Sequence, residues 1–254
     1  MSIIFINSLM CGIIPIPVEP RRSDMIENAS TSPEPPISVR AYQASDRDAV
    51  RKIAFDTADM GRSFEPVFDD PEALADFLTR YYTDFEPDSA WVAESGGSVI
   101  AYLLGCIDTG RYQSIMFWRV IPAGTVRAIA RGIIFKPQLW RLLRGLIIGI
   151  ILESFSVKQA TRHCRAHLHV DIQNGFRGRH VGDRLISLFE KKAQASGVKQ
   201  ICARVRDDNA GARTFFERLG YRSSSSSRPI VYTYRNGEKA GFRLITYAKE
   251  IPDK

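Results

Sequence analysis

The stretch Ala166-His-Leu-His-Val-Asp-Ile-Gln-Asn-Gly-Phe-Arg-Gly-Arg-His-Val-Gly182 begins with the alternating pattern of a strand and continues into a loop that contains glycine. A helix follows this loop and ends at Gly197. The segment therefore predicts a strand, a loop and a helix in direct succession. Apolar residues recur in that helix at the spacing i, i+4, i+7 and i+8, namely at Val181, Leu185, Leu188 and Phe189.

A second strand and a second helix follow this unit. Ile201-Cys-Ala-Arg-Val has the composition of a strand. Asp208 or Asn209 is suited to cap the next helix through its side-chain oxygen, and Gly220 ends that helix. The central order is therefore strand, loop, helix, strand, helix. The inward face of the second helix consists of Ala212, Phe215, Phe216 and Leu219.

The residues before this unit predict one strand, two helices and a hairpin. The strand spans 37–42, and Ser45 is the predicted cap of the first helix. The second helix is predicted from about Asp70 to Tyr82. Two strands at 90–93 and 99–105 are joined by Gly96-Gly97, which supplies the positive φ angles of a tight hairpin. The first helix is predicted to face inward through Val50, Ile53, Ala54 and Thr57.

The residues after the unit predict a loop and closing strands. Ser223 to Ser227 is a polar run that is typical of a mobile loop. Strands are predicted at 230–234 and 242–248, with a turn at Asn236-Gly237 between them. The predicted domain therefore spans 37–254.

The composition is that of a globular protein with a positive charge. Of 254 residues, 44% are hydrophobic and 25% are charged, and the net charge is +7. A positive surface attracts anionic partners without selecting among them. The cysteines have neither the paired spacing of a zinc site nor the density of a secreted disulfide scaffold. We therefore expect reduced thiols, no metal and a cytoplasmic protein. The cysteines are Cys11, Cys106, Cys164 and Cys202.

Two segments differ from the rest of the chain. Residues 1–36 become rich in Pro, Ser and Glu and predict a flexible leader, in which either Met1 or Met25 is the start. Residues 117–160, called the basic insertion below, are helical in pattern and contain no acid before Glu153. The apolar run in the insertion is shorter than the ~20 residues that span a bilayer. Two interpretations stay open: the insertion covers the sheet, or it lies on a membrane surface or an anionic ligand.

The loop from Arg177 to Gly182 has the properties of an anion site. Backbone N–H groups at a helix N-terminus lack helical partners, and the positive end of the helix dipole points at the same place. Arg177 and Arg179 add positive charge beside them. A diphosphate fits such a site.

The loop and the later helix together resemble the GNAT superfamily of N-acetyltransferases. The loop pattern of that family is Arg or Gln, two residues, Gly, one residue, and Gly or Ala. Its later pattern is Asn, an Ala three residues on, an aromatic pair and a Gly-aromatic ending. The resemblance implies a mixed α/β sheet flanked by helices, with two parallel strands, around Leu168 and Ala203, splayed to admit acetyl-CoA. The matching residues are Arg177, Gly182, Asn209, Ala212, Phe215, Gly220 and Tyr221.

The resemblance also implies which residues contact the cofactor. Two of them depart from the family pattern. His180 stands where the family has the first glycine of its loop, and Phe216 stands where many members have a tyrosine that resembles a general acid. These departures keep a second hypothesis open, a catalytically silent module that only binds a ligand. The implied cofactor contacts are Ile172, Arg177, Gly178, Arg179, His180, Val181, Gly182, Asp183, Asn209 and Phe216.

Acetyl transfer needs a neutral amine, although an alkyl ammonium has a reference pKa of ~10.4. A base near the acceptor is therefore useful. Strand alternation places His167, His169 and Asp171 on one face. His169 or Asp171 is the predicted base. The resemblance places an oxyanion-stabilising N–H near Ile172.

The acceptor is predicted to be a primary amine of a small molecule or a protein. The loop from Asp56 to Pro71 is acidic and aromatic, and in the family this region shapes the acceptor pocket. Asp56 and Asp59 are the candidates for attracting a cationic amine. The same loop is distantly similar to the acetyltransferase-like domain of O-GlcNAcases and their bacterial relatives. No nucleic-acid motif is present, and we expect a monomer or homodimer.

Overall fold

The computed structural model describes residues 35–59, 63, 70–137, 139–140, 143, 164–226, 230–233, 236 and 238–252. Its strands are β1 Ile37–Ala41, β2 Ala90–Ser95, β3 Ser98–Cys106, β4 Ala166–Ile172, β5 Gln200–Arg206, β6 Arg222–Ser226, β7 Ile230–Thr233, β8 Lys239–Phe242 and β9 Leu244–Glu250. Its α-helices are α1 Arg47–Thr57, α2 Pro71–Phe85, α3 Thr109–Ile115, α4 Ile121–Ala130, α5 Val181–Ala195 and α6 Ala210–Arg218. The predicted flexible leader lies outside the described residues except for its last two.

The described strands form a central mixed sheet in the order β1-β2-β3-β4-β5-β9-β6, and β7 pairs with β8 in a separate hairpin. Neighbours from β1 to β4 are antiparallel, as are β5, β9 and β6. Between these halves, β4 and β5 run parallel. The predicted mixed sheet with one pair of parallel strands is confirmed.

Apolar residues pack on both faces of the sheet. The strand β3 shows the alternation, because Tyr102 and Leu104 face one core while Ala101 and Leu103 face the other. Helices α1 and α2 cover the first face, and α5 and α6 cover the second. Side chains that alternate along β4 are therefore divided between these two cores.

The first helix begins differently from the prediction. A 3-10 turn at Ala44–Asp46 precedes α1, and Ser45 makes no cap. A capping box is formed instead by Gln43 and Asp46, whose carboxylate accepts the Gln43 N–H at 2.8 Å. The predicted inward residues of α1 are all buried.

The helix α2 has the start that the sequence indicates and a later end. The Asp70 side chain accepts the Ala73 N–H at 2.9 Å, and Pro71 occupies the first helical position, where its missing N–H leaves no bond unmade. The helix continues three residues past Tyr82 to Phe85 because Tyr81 and Tyr82 are fully buried in the core.

The hairpin between β2 and β3 has the predicted turn. Gly96 and Gly97 have φ angles of 56° and 78°. Both values lie in the left-handed region, which a two-residue hairpin of this kind requires and which glycine adopts without steric cost.

The basic insertion continues a helix that starts earlier than predicted. Asp108 accepts the N–H groups of Gly110 and Arg111, and so begins α3 at Thr109. A π-helical turn at Met116–Val120 joins α3 to α4 without a break. Residues 144–163, which include the rest of the insertion, lie outside the described residues. No described helix is long and apolar enough to span a membrane.

Two expectations are wrong. The serine run is not a loop, because Arg222–Ser226 forms β6 and pairs with β9 through a register shift between Ser223 and Ser225. Cysteine pairing was also not expected, yet Cys164 and Cys202 form a disulfide with a Cα–Cα distance of 5.7 Å. Cys106 is a buried free thiol.

Candidate active site

An opening lies between the parallel strands β4 and β5. The two strands pair only at Ala166–Ile201 and His167–Cys202. Beyond these pairs β4 continues to Ile172 and stays paired with β3, while β5 continues to Arg206 and stays paired with β9. Within the described residues, the β5-facing edge of β4 from Leu168 onward therefore has no strand partner. Its backbone groups are available to an extended ligand.

The loop after β4 turns through residues with positive φ before α5 begins. Gly175 and Gly178 have φ angles of 91° and 76°, and His180 has a φ of 58°. Arg177 Nε donates to the carbonyl of Ile172 at 3.0 Å, which ties the loop back to the end of β4. Buried Nη1 of Arg177 has no hydrogen-bond partner among the described residues. Burial lowers the pKa of this guanidinium and nearby Asp171 raises it.

His180 is the N-cap of α5 and adopts a left-handed conformation. Its Nδ1 lies 2.7 Å from Asp183 Oδ2, so the ring is turned toward the first turn of its own helix. Arg218 donates to both oxygens of Asp183 at 3.0 and 2.6 Å. The bonds from Arg218, and secondarily from His180, lower the pKa of Asp183.

Gly182 allows α5 to approach α6 closely. A Cβ atom at this position would lie 2.8 Å from Phe215 Cζ. Asn209 caps α6 through Oδ1, which accepts the Ala212 N–H at 3.0 Å. The Nδ2 of Asn209 is buried and has no hydrogen-bond partner among the described residues. A ligand that reaches the α6 N-terminus would satisfy it.

Val181 and Phe216 lie in the core between the sheet and α5 and α6. The Phe216 ring is fully buried, with centroids 5.2 Å from Tyr221 and 6.2 Å from Tyr247. The position at which the resemblance implies a general acid is therefore occupied by a side chain without a proton to donate.

His167, His169 and Asp171 lie on one face of β4, as the alternation predicts, and all three are buried. His167 is hydrogen-bonded at both ring nitrogens, to Tyr82 Oη at 3.0 Å and to Thr109 Oγ1 at 3.0 Å. These bonds fix its ring between α2 and α3. His167 is a structural residue of this face.

His169 has a free ring nitrogen. Its Nε2 is buried without a hydrogen-bond partner in the described part of the chain. The ring lies edge-on to Tyr82, with centroids 5.4 Å apart. Burial, and secondarily the charge of Arg204, lowers the pKa of His169 to about 4. The imidazole is therefore neutral at pH 7.

Asp171 is oriented by a residue that the sequence did not single out. Tyr102 Oη donates to Asp171 Oδ2 at 2.5 Å, and the two residues are direct partners in the β3–β4 register. The sequence of β5 contains a further signal for a polar face, because Arg204 and Arg206 alternate with the apolar residues Ala203 and Val205. Charged residues at alternate strand positions indicate a polar face.

The two acidic acceptor candidates lie in different surroundings. Asp59 is buried and pairs with Arg206 Nη1 at 2.9 Å. Arg206 also binds Asp208 at 2.6 Å and stacks on the Phe242 ring at 4.2 Å. Asp56 is half-buried and pairs with Lys52 on its own helix. The acidic loop after Asp59 lies outside the described residues apart from Ser63 and Asp70. Among the described residues, no cluster of His, Cys, Asp or Glu is suited to a metal ion.

The buried histidines predict acid-sensitive stability. An unfolded histidine titrates near 6.5, whereas His169 in the folded protein has a pKa of about 4. Between these values the unfolded chain binds a proton that the folded protein does not. The free energy of unfolding should therefore fall by about 1.4 kcal/mol per pH unit for this group as the pH decreases. Burial lowers the pKa of His167 also, so its effect has the same sign.

Urea unfolding of the wild type and of His169→Gln, measured across this pH range, tests the prediction. The variant should lose stability less steeply than the wild type as the pH decreases, and the two should follow parallel curves above about pH 7. Equal slopes throughout would contradict a buried neutral His169.

Comparisons with known proteins agree with this geometry. Residues 143–221 match the family model described as Acetyltransferase (GNAT) family. SsHAT has a TM-score of 0.61 at 23% identity, over 86% of this chain and 100% of its own. An N-acetyltransferase from Staphylococcus aureus Mu50 has a TM-score of 0.53 at 12% identity, over 85% and 99%. The yncA protein from Salmonella typhimurium, solved with its cofactor acetyl-CoA, has a TM-score of 0.50 at 15% identity, over 86% and 95%.

The solved structures show the fold. The family match covers β4, the loop at 177–182, α5, β5 and α6. Residues 143–221 of this chain therefore match the GNAT acetyltransferase family, within a fold that solved N-acetyltransferases share.

Proposed function

We propose that the protein is an acetyl-CoA-dependent N-acetyltransferase that acts on a primary amine of a small molecule or a protein. The observation that carries the proposal is the opening between β4 and β5, which leads directly to the loop at 177–182 and the N-terminus of α5. An extended thioester arm and a diphosphate have the shape and charge for these two adjoining places.

The described residues fit a diphosphate at the loop. The first backbone N–H groups of α5 have no helical partners, and Arg177 and Arg179 contribute positive charge. Arg177 Nη1 and Asn209 Nδ2 are buried donors for which the described residues supply no acceptor. Val181 and Phe216 pack in the core behind this site, Gly182 lies against Phe215, and Asp183 binds Arg218. Gly178 and His180 set the loop conformation.

Bound acetyl-CoA supplies an acetyl group activated as a thioester. In the proposed reaction, the amine nitrogen bonds to the carbonyl carbon, the carbon–sulfur bond breaks, and one proton leaves the amine. His169 Nε2 is the proposed acceptor of that proton, since it is neutral and unbonded, and Asp171 is the alternative. A backbone N–H near Ile172, on the unpaired edge of β4, is proposed to stabilise the developing oxyanion.

The thiolate has no protein acid at Phe216. A thiol has a reference pKa of ~8.5, so water can protonate the thiolate at modest cost, and the reaction is slowed rather than prevented. Asp56 and Asp59 remain the proposed attractants of a cationic amine, although Asp59 already balances Arg206. A cytoplasmic location belongs to the same proposal, and the Cys164–Cys202 bond weighs against it.

Calorimetric titration with acetyl-CoA and with CoA tests the cofactor site. Arg177→Ala and Arg179→Glu should each weaken binding by about ten- to a hundred-fold, because each removes a charged donor or places a carboxylate beside the diphosphate. Lys191→Glu is the matched control. It makes the same charge change as Arg179→Glu on an exposed residue of α5, about 15 Å from the start of that helix, and should leave binding within about two-fold.

A catalytically silent binding module is the second candidate, favoured by the replacement of the family tyrosine by buried Phe216. The two candidates differ in turnover. Cofactor binding with release of free thiol in the presence of amines supports the enzyme. Binding without thiol release across a panel of small amines and amine-bearing peptides supports the module, and the absence of binding by the wild type contradicts both.

A further inference from the structure

Exposed apolar side chains are concentrated on one segment. Every large apolar side chain that is exposed in the described part of the chain lies between residues 117 and 140. Trp118 is 73% exposed and Phe135 is 82% exposed, which is unusual for side chains of this size. The described residues on the other side of the sheet present none of this kind. The full set is Phe117, Trp118, Val126, Ile129, Phe135 and Trp140.

The helical part of this segment is apolar on two sides. Its inner side packs against α2 through buried Met116 and Val120. Trp118, Val126 and Ile129, called the outward stripe below, recur at i, i+8 and i+11, which places them on one side of a helix. Because the inner side already completes the core, packing within the described residues does not account for the outward stripe.

The charge of the segment has one sign. No aspartate or glutamate occurs between Asp108 and Glu153. Arg119 is exposed beside Trp118. Arg127 pairs with Asp76 of α2 and Arg131 with Asp70, the N-cap residue of that helix, yet the two arginine side chains stay 41% and 46% exposed. Within the segment, the charged side chains beside the outward stripe are therefore all basic.

The indole N–H of exposed Trp140 is hydrogen-bonded within the protein rather than to water. Its Nε1–H donates to the Ile134 carbonyl at 2.8 Å. The Trp140 side chain is nevertheless 61% exposed. Moving this ring from water into a less polar phase therefore breaks no hydrogen bond of its N–H group.

We propose that the outward stripe, with Arg119, lies on the surface of an anionic lipid bilayer. A helix with exposed Trp, Val and Ile and flanking arginines matches the chemistry of a bilayer interface, where apolar side chains enter the headgroup boundary and cations meet lipid phosphates. A symmetric contact with a second copy would instead bring arginines against arginines. Nucleic acid offers charge but no phase that buries Val126 and Ile129.

Co-sedimentation of the full chain with lipid vesicles tests this proposal. The wild type should bind vesicles of phosphatidylcholine and phosphatidylserine in a roughly 2:1 ratio, and should bind pure phosphatidylcholine at least about ten-fold more weakly. Trp118→Ser combined with Ile129→Ser should weaken binding to the anionic vesicles by about ten-fold or more. Arg119→Glu should weaken binding to the anionic vesicles by about ten-fold, and this loss of affinity should be larger at low salt than at high salt.

Lys191→Glu is the matched charge control, since Lys191 lies on α5 across the sheet, and it should bind vesicles as the wild type does. Circular dichroism and thermal unfolding check that each variant is folded, and Arg119→Glu, on an exposed residue, keeps the test valid if the double variant unfolds. The proposal would be overturned if the double variant and Arg119→Glu both bound anionic vesicles as tightly as the wild type does. It would also be overturned if the wild type did not bind anionic vesicles. So would a dimer in sedimentation experiments that the stripe variants dissociate.

Discussion

Replacing His169 by glutamine is expected to lower kcat by about 100- to 10,000-fold while the KM for the amine changes little. Glutamine keeps much of the volume and the hydrogen-bonding capacity of the side chain but cannot take up a proton at neutral pH. The expectation rests on the proposed acetyl transfer and on the unbonded, buried Nε2 of His169. Steady-state release of free thiol from acetyl-CoA, with the amine varied, measures both constants.

His167→Gln is the matched control for this experiment. His167 lies two residues away on the same face, but both of its ring nitrogens are hydrogen-bonded within the protein. Its replacement should lower the thermal stability and leave kcat within about ten-fold of the wild type. A wild-type kcat in His169→Gln, together with a large loss in Asp171→Asn, would transfer the role of base to Asp171.

Gly105→Ala is expected to destabilise the protein by about 3 kcal/mol. A Cβ atom on Gly105 would lie 2.3 Å from Phe189 Cε2 and 2.8 Å from the Ser89 carbonyl oxygen. The Phe189 ring is fully buried, and the carbonyl belongs to the backbone, so neither neighbour can move without displacing α5 or the start of β2. Urea unfolding, compared with the wild type, gives the change in the free energy of unfolding.

Gly124→Ala is expected to raise the free energy of unfolding, whereas Gly105→Ala lowers it. Gly124 lies within α4, and a Cβ atom there would have no neighbour within 4 Å. Alanine should stabilise the helix by about 0.5–1 kcal/mol, because it loses less backbone entropy on folding. Equal stabilities of the two variants would show that the contact between β3 and α5 is looser than described.

The segment from β4 to α6 could be predicted because each of its elements is defined by local pattern. Alternation identifies β4, helical spacing identifies α5, and Asn209 is a local cap whose side chain accepts the N–H of Ala212. The same alternation placed His169 and Asp171 on one face. That face was predicted without its surroundings, since Tyr102 reaches Asp171 through strand register rather than through sequence proximity.

Elements that depend on distant partners were not predicted. The serines of β6 have weak strand propensity and are held by pairing with β9, so tertiary context overrides their local preference. Gln43 and Asp46 cap the first turn in place of Ser45, because Asp46 is also held by Arg40 at 2.7 Å. Cys164 and Cys202 are 38 residues apart and meet only because β4 and β5 are parallel neighbours.

The Cys164–Cys202 bond has a mechanical consequence for the opening between β4 and β5. It joins Cys164, two residues before β4, to Cys202 of β5, at the end where the two strands still pair. With that end fixed, the strands cannot slide past each other or separate in parallel. Any change in the width of the opening is therefore a rotation of one half of the sheet relative to the other about this fixed end.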